Sequence, residues 1–476
     1  MKTYQDYEKA KSNGGVIDFI KAAITEYRTS DEYRTACDAD EYEKENNITI
    51  KEFLRLIFTK EGDQVVDFTA ANNQIASNFL HRLVTQRVAY SLGNGVSFAN
   101  AQKVKGEDGK TEIQDKTKES LGKDFDTVLY SAGRYARLHR VSYLFWNLDH
   151  ADLFKATEFC PLFDENNGGL GAGIRFWSLD WNKKPVTVVF YEQDGYTKYR
   201  TKPDSKGLDL VEIEPKRAYK QQIAHNNVDP DEIIGESNYS YIPIIPFWGS
   251  QHRQSDLVGM RSKIDAYDLV KSGFANDLED CAQIYWIVGN ALGSTDDDLA
   301  KFRDRLKLNH IAVMDTDNTN ITPYTQEIPT QARAVLLESL RTQIYEDYGG
   351  LDVISFAGGK AKTATEIDAA YQPMDEEADD FEYQCIEAIR GILDILGIDD
   401  MPLFQRNRVS NRMEQAQMVM MAANYLDRET IIRKLPFITP DEVDAIIARK
   451  EAEDQAFVEA VKEQAEMEEE TEGIEE

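Results

Sequence analysis

The stretch "KIDAYDLVKSGFANDLEDCAQIY", residues 263–285, decides the architecture. Counting from Leu257 in alternate steps of three and four residues gives Met260, Ile264, Tyr267, Lys271, Phe274, Leu278, Cys281 and Tyr285, apolar everywhere except Lys271. That alternation averages about 3.5 residues per turn, the period of helices that pack lengthwise on long neighbours. Ser255 suits the N-cap and Asp256 the first turn. The spacing therefore predicts a helix over about 255–285, roughly 45 Å long at 1.5 Å per residue. The opposite arc carries Asp265, Asp268, Ser272, Asn276, Glu279 and Asp280. It reads as a solvated face, too acidic to attract a nucleic-acid backbone.

A strut of this length belongs to a large chain. The 476 residues exceed one core and imply two or three folded regions, and 42% hydrophobic with 10% aromatic residues is enough to build them. The formal charge of −31 argues against general affinity for nucleic acid, which needs Lys and Arg to displace counterions. Residues 451–476 hold twelve of the carboxylates against Lys462 alone, and 466–476, "EMEEETEGIEE", read as a disordered acidic tail. Cys37, Cys160, Cys281 and Cys385 show no metal-ligand spacing and read as reduced, structural residues of a cytosolic protein. The N-terminus has no apolar core of a signal peptide, and "YIPIIPFW" (241–248) is too short to span a bilayer, so a soluble protein is expected.

Along the chain, short polar helices are expected over 1–60. A helix follows from about Asn72 to Leu92, stopped by "GNG", and another over roughly 114–138. The period then changes to two. Strands are predicted over 141–147, 153–159, 173–181, 186–193, 196–202 and 210–215, with Asp194-Gly195 as a hairpin turn. After the long helix, "QIYWIVG" fits either more helix or a strand, 296–306 a short helix, and 310–317 with 320–328 a hairpin. Thr330 caps a second long helix ending at Gly349-Gly350. A third, through Ile367 to Leu396, repeats the 3-4 spacing with Pro373 inside it, where a kink is expected.

Motifs for chemistry fail on inspection. "FAGGKAKT" lacks the P-loop's first glycine, since that place is Ile354, and has Ala361 where Ser or Thr belongs. "GGLGAG" (168–173) lacks the dinucleotide-binding order, and "DTDNTN" (315–320) lacks the glycine and terminal glutamate of a calcium loop. The six histidines form no cluster. No catalytic residue, metal site or cofactor is indicated, and no enzyme is expected.

Three stretches together point elsewhere: "NQIASNFLHRLVTQRVAYSLGNGVSF" (73–98), "IPIIPFWGSQHRQSDLVGMRSKIDAYDLVKSGFANDLED" (242–280) and "IPTQARAVLLESLRTQIYEDYGGLD" (328–352). Their order resembles the portal proteins of tailed bacteriophages, in the branch found in siphophages of Gram-positive hosts. The resemblance spans about 70–450. It implies an α+β, predominantly helical portal fold of wing, stem, clip and crown, assembled as a cyclic ring of typically about twelve copies with head-to-tail interfaces. It also implies a place in the virion, at one capsid vertex, after assembly in the host cytoplasm.

On this resemblance, 1–254 holds the N-terminal region and wing, and 255–348 the stem helices with a clip inserted at about 286–329. The tunnel loop is 349–364, the long kinked helix 365–400, and the helical crown 401–465. The tunnel loop would present Ser355, Phe356, Gly358, Gly359, Lys360, Lys362 and Thr363 to DNA, its two lysines making weak phosphate contacts. Asp265, Asp268 and Glu279 would line the channel or face outer solvent. Asp315, Asp317, Asn318 and Asn320 would form the clip tip that meets partners. The implied partners are further copies of the chain, the large terminase subunit, the head-completion adaptor, and the major capsid and scaffolding proteins. Double-stranded DNA would pass through without sequence readout, and no membrane is involved. Two rival readings are another ring component of a neck or baseplate and a metal-dependent nuclease.

Overall fold

The computed structural model describes residues 1–58, 62–68, 70–105, 111–178, 185–202, 208–224, 232–281, 285–288, 321–324, 329–354, 363–408, 412–423, 425–435, 438, 442–443, 445–450, 452–453 and 456. Two compact units emerge: Met1–Asp40, Leu80–Gly259 and Tyr345–Glu476 form the first, Glu41–Phe79 and Met260–Ile344 the second. The helices are α1 (Tyr4–Ser12), α2 (Val16–Thr29), α3 (Asp31–Glu43), α4 (Ile48–Lys51), α5 (Phe79–Leu92), α6 (Lys116–Leu121) and α7 (Phe125–His139). They continue with α8 (Asp256–Cys281), α9 (Thr330–Tyr348), α10 (Ala364–Leu396), α11 (Arg412–Met421) and α12 (Arg428–Lys434). The fold is α+β, as expected.

In the first unit, strands β1 and β2 play no part, being Leu56–Phe58 and Gln64–Val66 of the second. Its strands are β3 (Val96–Phe98), β4 (Gln102–Lys105), β5 (Thr111–Gln114), β6 (Val141–Asn147), β7 (His150–Lys155), β8 (Phe159–Phe163) and β9 (Leu170–Trp177). Next come β10 (Thr187–Glu192), β11 (Gly195–Thr201), β12 (Leu210–Arg217), β13 (Lys220–Ala224), β14 (Glu232–Ser237) and β15 (Ile244–Trp248). An antiparallel sheet runs β12-β11-β10-β9-β8, and a second runs β15-β6-β7. α1 and α2 lay Tyr7, Phe19, Ile20, Ile24 and Tyr27 on Ile174, Val188 and Phe190 of the larger sheet, forming one core. β10 is buried along its whole length, which suits the unbroken apolar run "VVFY". The second sheet is covered by α7 and α10, where Phe247 and Phe381 stack with centroids 6.0 Å apart.

Several expectations need correction. The helix expected from Asn72 begins only at Phe79, because the N–H groups of Asn73 and Ile75 bond to Asn276 Oδ1 and Ser272 Oγ. Backbone donors satisfied by side chains have no call for a helical turn. The segment read as one helix over 114–138 is α6 and α7, split at Gly122, whose φ is +88°. The run 153–159 is the end of β7, a turn, and the start of β8. In the β10–β11 hairpin Glu192 pairs with Gly195, so Gln193-Asp194 is the turn and Gly195, at φ +136°, closes it. Near the start of the segment expected to be helical over 401–465, Pro402–Phe404 (β18) pair with β3 instead.

In the second unit, β16 (Tyr285–Val288) and β17 (Ile321–Tyr324) pair antiparallel, so the "YWIV" of "QIYWIVG" is strand. Of the expected hairpin of 310–317 with 320–328, only 321–324 falls among the described residues, as the strand β17. Residues 296–306 and 310–317 lie outside the described residues. α8 spans 26 residues, close to its expected bounds, and Ser255 Oγ accepts the Leu257 N–H at 3.2 Å as its cap. α9 ends as expected: Gly349, at φ +67°, and Gly350 donate to the carbonyls of Glu346 and Tyr345 at 3.1 and 2.9 Å. That is the double bond of a Schellman cap.

Candidate functional site

The apolar seam of α8 behaves as its spacing requires. Leu257, Met260 and Ile264 are buried, and Tyr267 meets Phe79 edge-on at 4.9 Å. Farther along, Arg333 of α9 lies 5.9 Å from the Phe274 ring and pairs with Asp277. An early residue of α9 thus meets a late residue of α8, so the two helices run antiparallel in the second unit. Leu278 departs from the pattern, 52% exposed.

The opposite arc is the larger correction. Asp268, Ser272 and Asn276 are not solvated but buried, at 0%, 2% and 4% exposure. They hold chain. Asn276 Oδ1 accepts from Asn73 N, Ser272 Oγ from Ile75 N at 2.9 Å, and Asp268 from Asn47 Nδ2, which also donates to Ser77 O at 3.1 Å. Either side of these, Asp265 accepts from Tyr42 Oη at 2.6 Å and Thr49 Oγ1 at 2.8 Å, and Glu279 from Asn73 Nδ2 at 3.0 Å. The geometry is matched in length. Alternate residues of an extended chain are about 6.6 Å apart, and residues four apart on a helix about 6 Å, so 73, 75 and 77 fall opposite 276, 272 and 268. Short polar side chains at one-turn intervals therefore read the backbone of a strap that pairs with no strand among the described residues.

Burial raises the Asp268 carboxyl above its ordinary range, although the Ser77 and Asn47 hydrogen bonds and Lys271 pull the other way. The folded state then binds a proton more tightly than the unfolded state. The corresponding stability is present below the ordinary carboxyl range and is lost as pH rises through the raised value. Asp268→Asn, neutral throughout, is expected to gain stability relative to the natural chain as pH rises from about 4 to about 7, read as urea midpoints. A difference that does not change with pH would show that Asp268 titrates as it does in the unfolded chain.

In the first unit, a buried polar junction gathers the ends of long helices. Arg137 of α7 donates to Asp256, the first residue of α8, at 3.0 Å through Nε and 2.8 Å through an Nη. Its other Nη reaches Gly249 O at 2.7 Å. Burial opposes the Arg137 charge, but Asp256 outweighs it and raises the guanidinium further above its usual value. Tyr348, the last residue of α9, donates its hydroxyl to the same Asp256 carboxylate, and burial pushes that phenol up. Arg87 of α5 stands 4.0 Å over the Tyr348 ring and pairs with Glu377 of α10 at 3.0 Å. One Asp thus ties the start of α8 to the end of α9, and one Arg ties that end to α10.

A second clamp holds the chain after α10. Arg406 pairs with Asp375 at 3.1 Å, Glu382 at 2.9 Å and Asp379, while Arg408 binds Asp375 and the Tyr90 hydroxyl, the latter at 2.8 Å. Burial, with the Asp375 hydrogen bond, pushes Tyr90 up to about 12.

The residues expected to act are brought together only in part. Of the three acids expected to lie in a stem, Asp265 and Asp268 are engaged as above and Glu279 is exposed. Thr363 caps α10, its hydroxyl accepting from Glu366 N at 3.3 Å. Ser355, Phe356, Gly358, Gly359, Lys360 and Lys362, with the tip residues Asp315, Asp317, Asn318 and Asn320, lie outside the described residues, as does the side chain of Asp280. The sequence reading missed the junction altogether. Its signals were slight: an arginine inside the apolar face of α7, and a tyrosine directly before the Gly-Gly stop. Among the described residues no group of acidic, histidine and cysteine side chains is arranged to hold a metal ion.

Comparison with known families turns on one match. The sequence profile described as "Phage portal protein, SPP1 Gp6-like" covers residues 29–475. The chain belongs to the SPP1 Gp6-like phage portal family. Two phage relatives carry the plain name portal protein. That of Clostridium phage phiCD119 is 27% identical over 397 residues, 77% of this chain and 82% of its own length. That of Bacillus phage SPP1 is 22% identical over 442 residues, 88% of this chain and 83% of its own. A chain from the solved neck of an empty GTA particle overlaps 74% of this chain and 88% of its own length, at 10% identity and a TM-score of 0.38. Membership in the portal family bears out the resemblance carried by residues 73–98, 242–280 and 328–352, all inside the matched span.

Proposed function

We propose that the chain is the repeating subunit of a ring at one capsid vertex, through which double-stranded DNA is packaged by a terminase motor and later leaves. The match across 29–475 carries this reading. The antiparallel α8 and α9 support the assignment of a two-helix stem, with the segment between them as a clip facing terminase and then an adaptor. The connection from α9 to α10 takes the place of the tunnel loop, with Lys360 and Lys362 as its cations. Of the stem acids only Glu279 remains a candidate to face the channel, since Asp265 and Asp268 hold the strap. The role is structural: the ring conducts DNA without reading it, and an excess of 31 negative charges per chain disfavours holding the duplex in place. Capsid and scaffolding proteins would surround it during assembly, and the finished ring would remain in the virion. In solution, the 54.2 kDa chain is expected to form a closed ring of about twelve copies, roughly 650 kDa. Native mass spectrometry measures this directly. A protein that stays monomeric at the concentrations of assembly would overturn the reading.

A further inference from the structure

We infer that Gln86, Arg87 and Tyr90, within one turn of α5, are positioning residues for the connection between α9 and α10. The inference rests on the reading of that connection as the DNA-facing segment. Its outgoing root is held by main-chain recognition. Gln86 Nε2 donates to Leu351 O at 2.9 Å, and Leu351 N donates to Gln86 Oε1 at 3.0 Å. One side-chain amide thus uses both its donor and its acceptor on a single residue, as a neighbouring strand would. The fit is close: a Cβ on Gly350 would stand 3.1 Å from Gln86 Oε1. Arg87 covers the Tyr348 ring at 4.0 Å, donates to the Tyr348 carbonyl, and pairs with Glu377 at 3.0 Å. It therefore links the residue before the connection to the helix after it.

The returning end comes to the same place. Tyr90 packs with Tyr371, Met374 and Ala378 in a buried cluster, and the partly buried residues against that cluster are Leu351 and Ile367. Leu351 lies at the outgoing root and Ile367 in the first turn of α10. Tyr90 and Tyr371 stack at 5.8 Å, and Tyr90 Oη donates to Asp375 at 2.6 Å. Both described ends, Leu351 and Ile367, are thus fixed to one short face of α5. Gly349 completes the root, its φ of +67° turning the chain onto that face.

The test is hydrogen exchange followed by mass spectrometry on the assembled protein. Gln86→Met keeps length but removes both hydrogen bonds. It should speed exchange about five- to tenfold in peptides covering 349–354 and 363–367, leaving α5 and the body of α10 unchanged. Gln86→Glu, which keeps an acceptor for the Leu351 N–H, should show a smaller increase, and serves if the first variant does not fold. Unchanged exchange at the root, or acceleration spread evenly over α5 and α10, overturns the positioning role. DNA packaging separates this from the underlying reading, with Lys360→Glu/Lys362→Glu as comparator. Loosened exchange with impaired packaging in both variants supports the inference. Loosened exchange with normal packaging in both leaves the anchor standing, and overturns the DNA-facing role on which its function depends.

Discussion

Asp256→Ala is expected to cost about 3–5 kcal/mol of stability, because it leaves a buried guanidinium without its carboxylate. The Arg137 and Asp256 side chains are 4% and 6% exposed, and the pair is bidentate. Arginine cannot escape the penalty by losing its proton. Glu377, 4.0 Å from the same guanidinium, is too far to replace two short bonds. The Tyr348 hydroxyl also loses its acceptor, so the ends of α8 and α9 part from each other and from α7. Urea unfolding measures the loss. The double variant Arg137→Met/Asp256→Leu removes both charges and should recover most of it, since an apolar pair of similar volume often matches a buried ion pair. A single-variant loss below about 1 kcal/mol would mean that the junction is wet enough to hydrate Arg137.

What could be read beforehand was the part of the fold governed by local rules. Ser255, Gly93 and Gly349-Gly350 mark helix ends in the structure because capping depends on the few residues at the end itself. The 3.5-residue seam was legible for a similar reason, since a helix that buries one narrow stripe must repeat it. The stripe of Asp268, Ser272 and Asn276 was misread because polarity does not reveal what it faces. Water and an unpaired backbone ask for the same side chains. A finer signal was present. Ser272 and Asn276 are short and uncharged, one turn apart, where a merely solvated face of this acidic chain had no reason to avoid Lys and Glu. The start of α5 failed on the same contacts seen from the other side, since "NNQIAS" keeps a helical period while Asn276 and Ser272 take its donors. The junction was beyond reach, as Arg87, Arg137, Asp256, Tyr348 and Glu377 come from five helices and meet only in the folded chain.

Gly249→Ala is expected to lose about 3 kcal/mol, an unusually large effect for one methyl group. The added Cβ would lie 2.3 Å from Ala136 O, 2.7 Å from the same carbonyl carbon and 2.9 Å from Arg137 N, all backbone of α7. No rotamer can relieve such a clash. Relief requires the chain after β15 to lift off α7, and that motion breaks two bonds at once, Gly249 N to Arg140 O at 3.0 Å and Arg137 to Gly249 O at 2.7 Å. Each is worth about 1 kcal/mol, and the second steadies the guanidinium that holds Asp256. Two other glycines supply the contrast. Gly168→Ala, at φ +69° with nothing within 4 Å, should lose only about 1 kcal/mol to backbone strain. Gly259→Ala, inside α8 with open space around it, should gain about 0.5–1 kcal/mol from a less flexible unfolded chain. Urea midpoints of the three variants therefore rank Gly259→Ala above the natural chain, Gly168→Ala below it and Gly249→Ala lowest. If Gly249→Ala instead matched Gly168→Ala, close backbone contact would not be what demands glycine in "PFWGSQ". The tie between β15, Arg137 and the head of α8 would then be loose enough to admit a side chain.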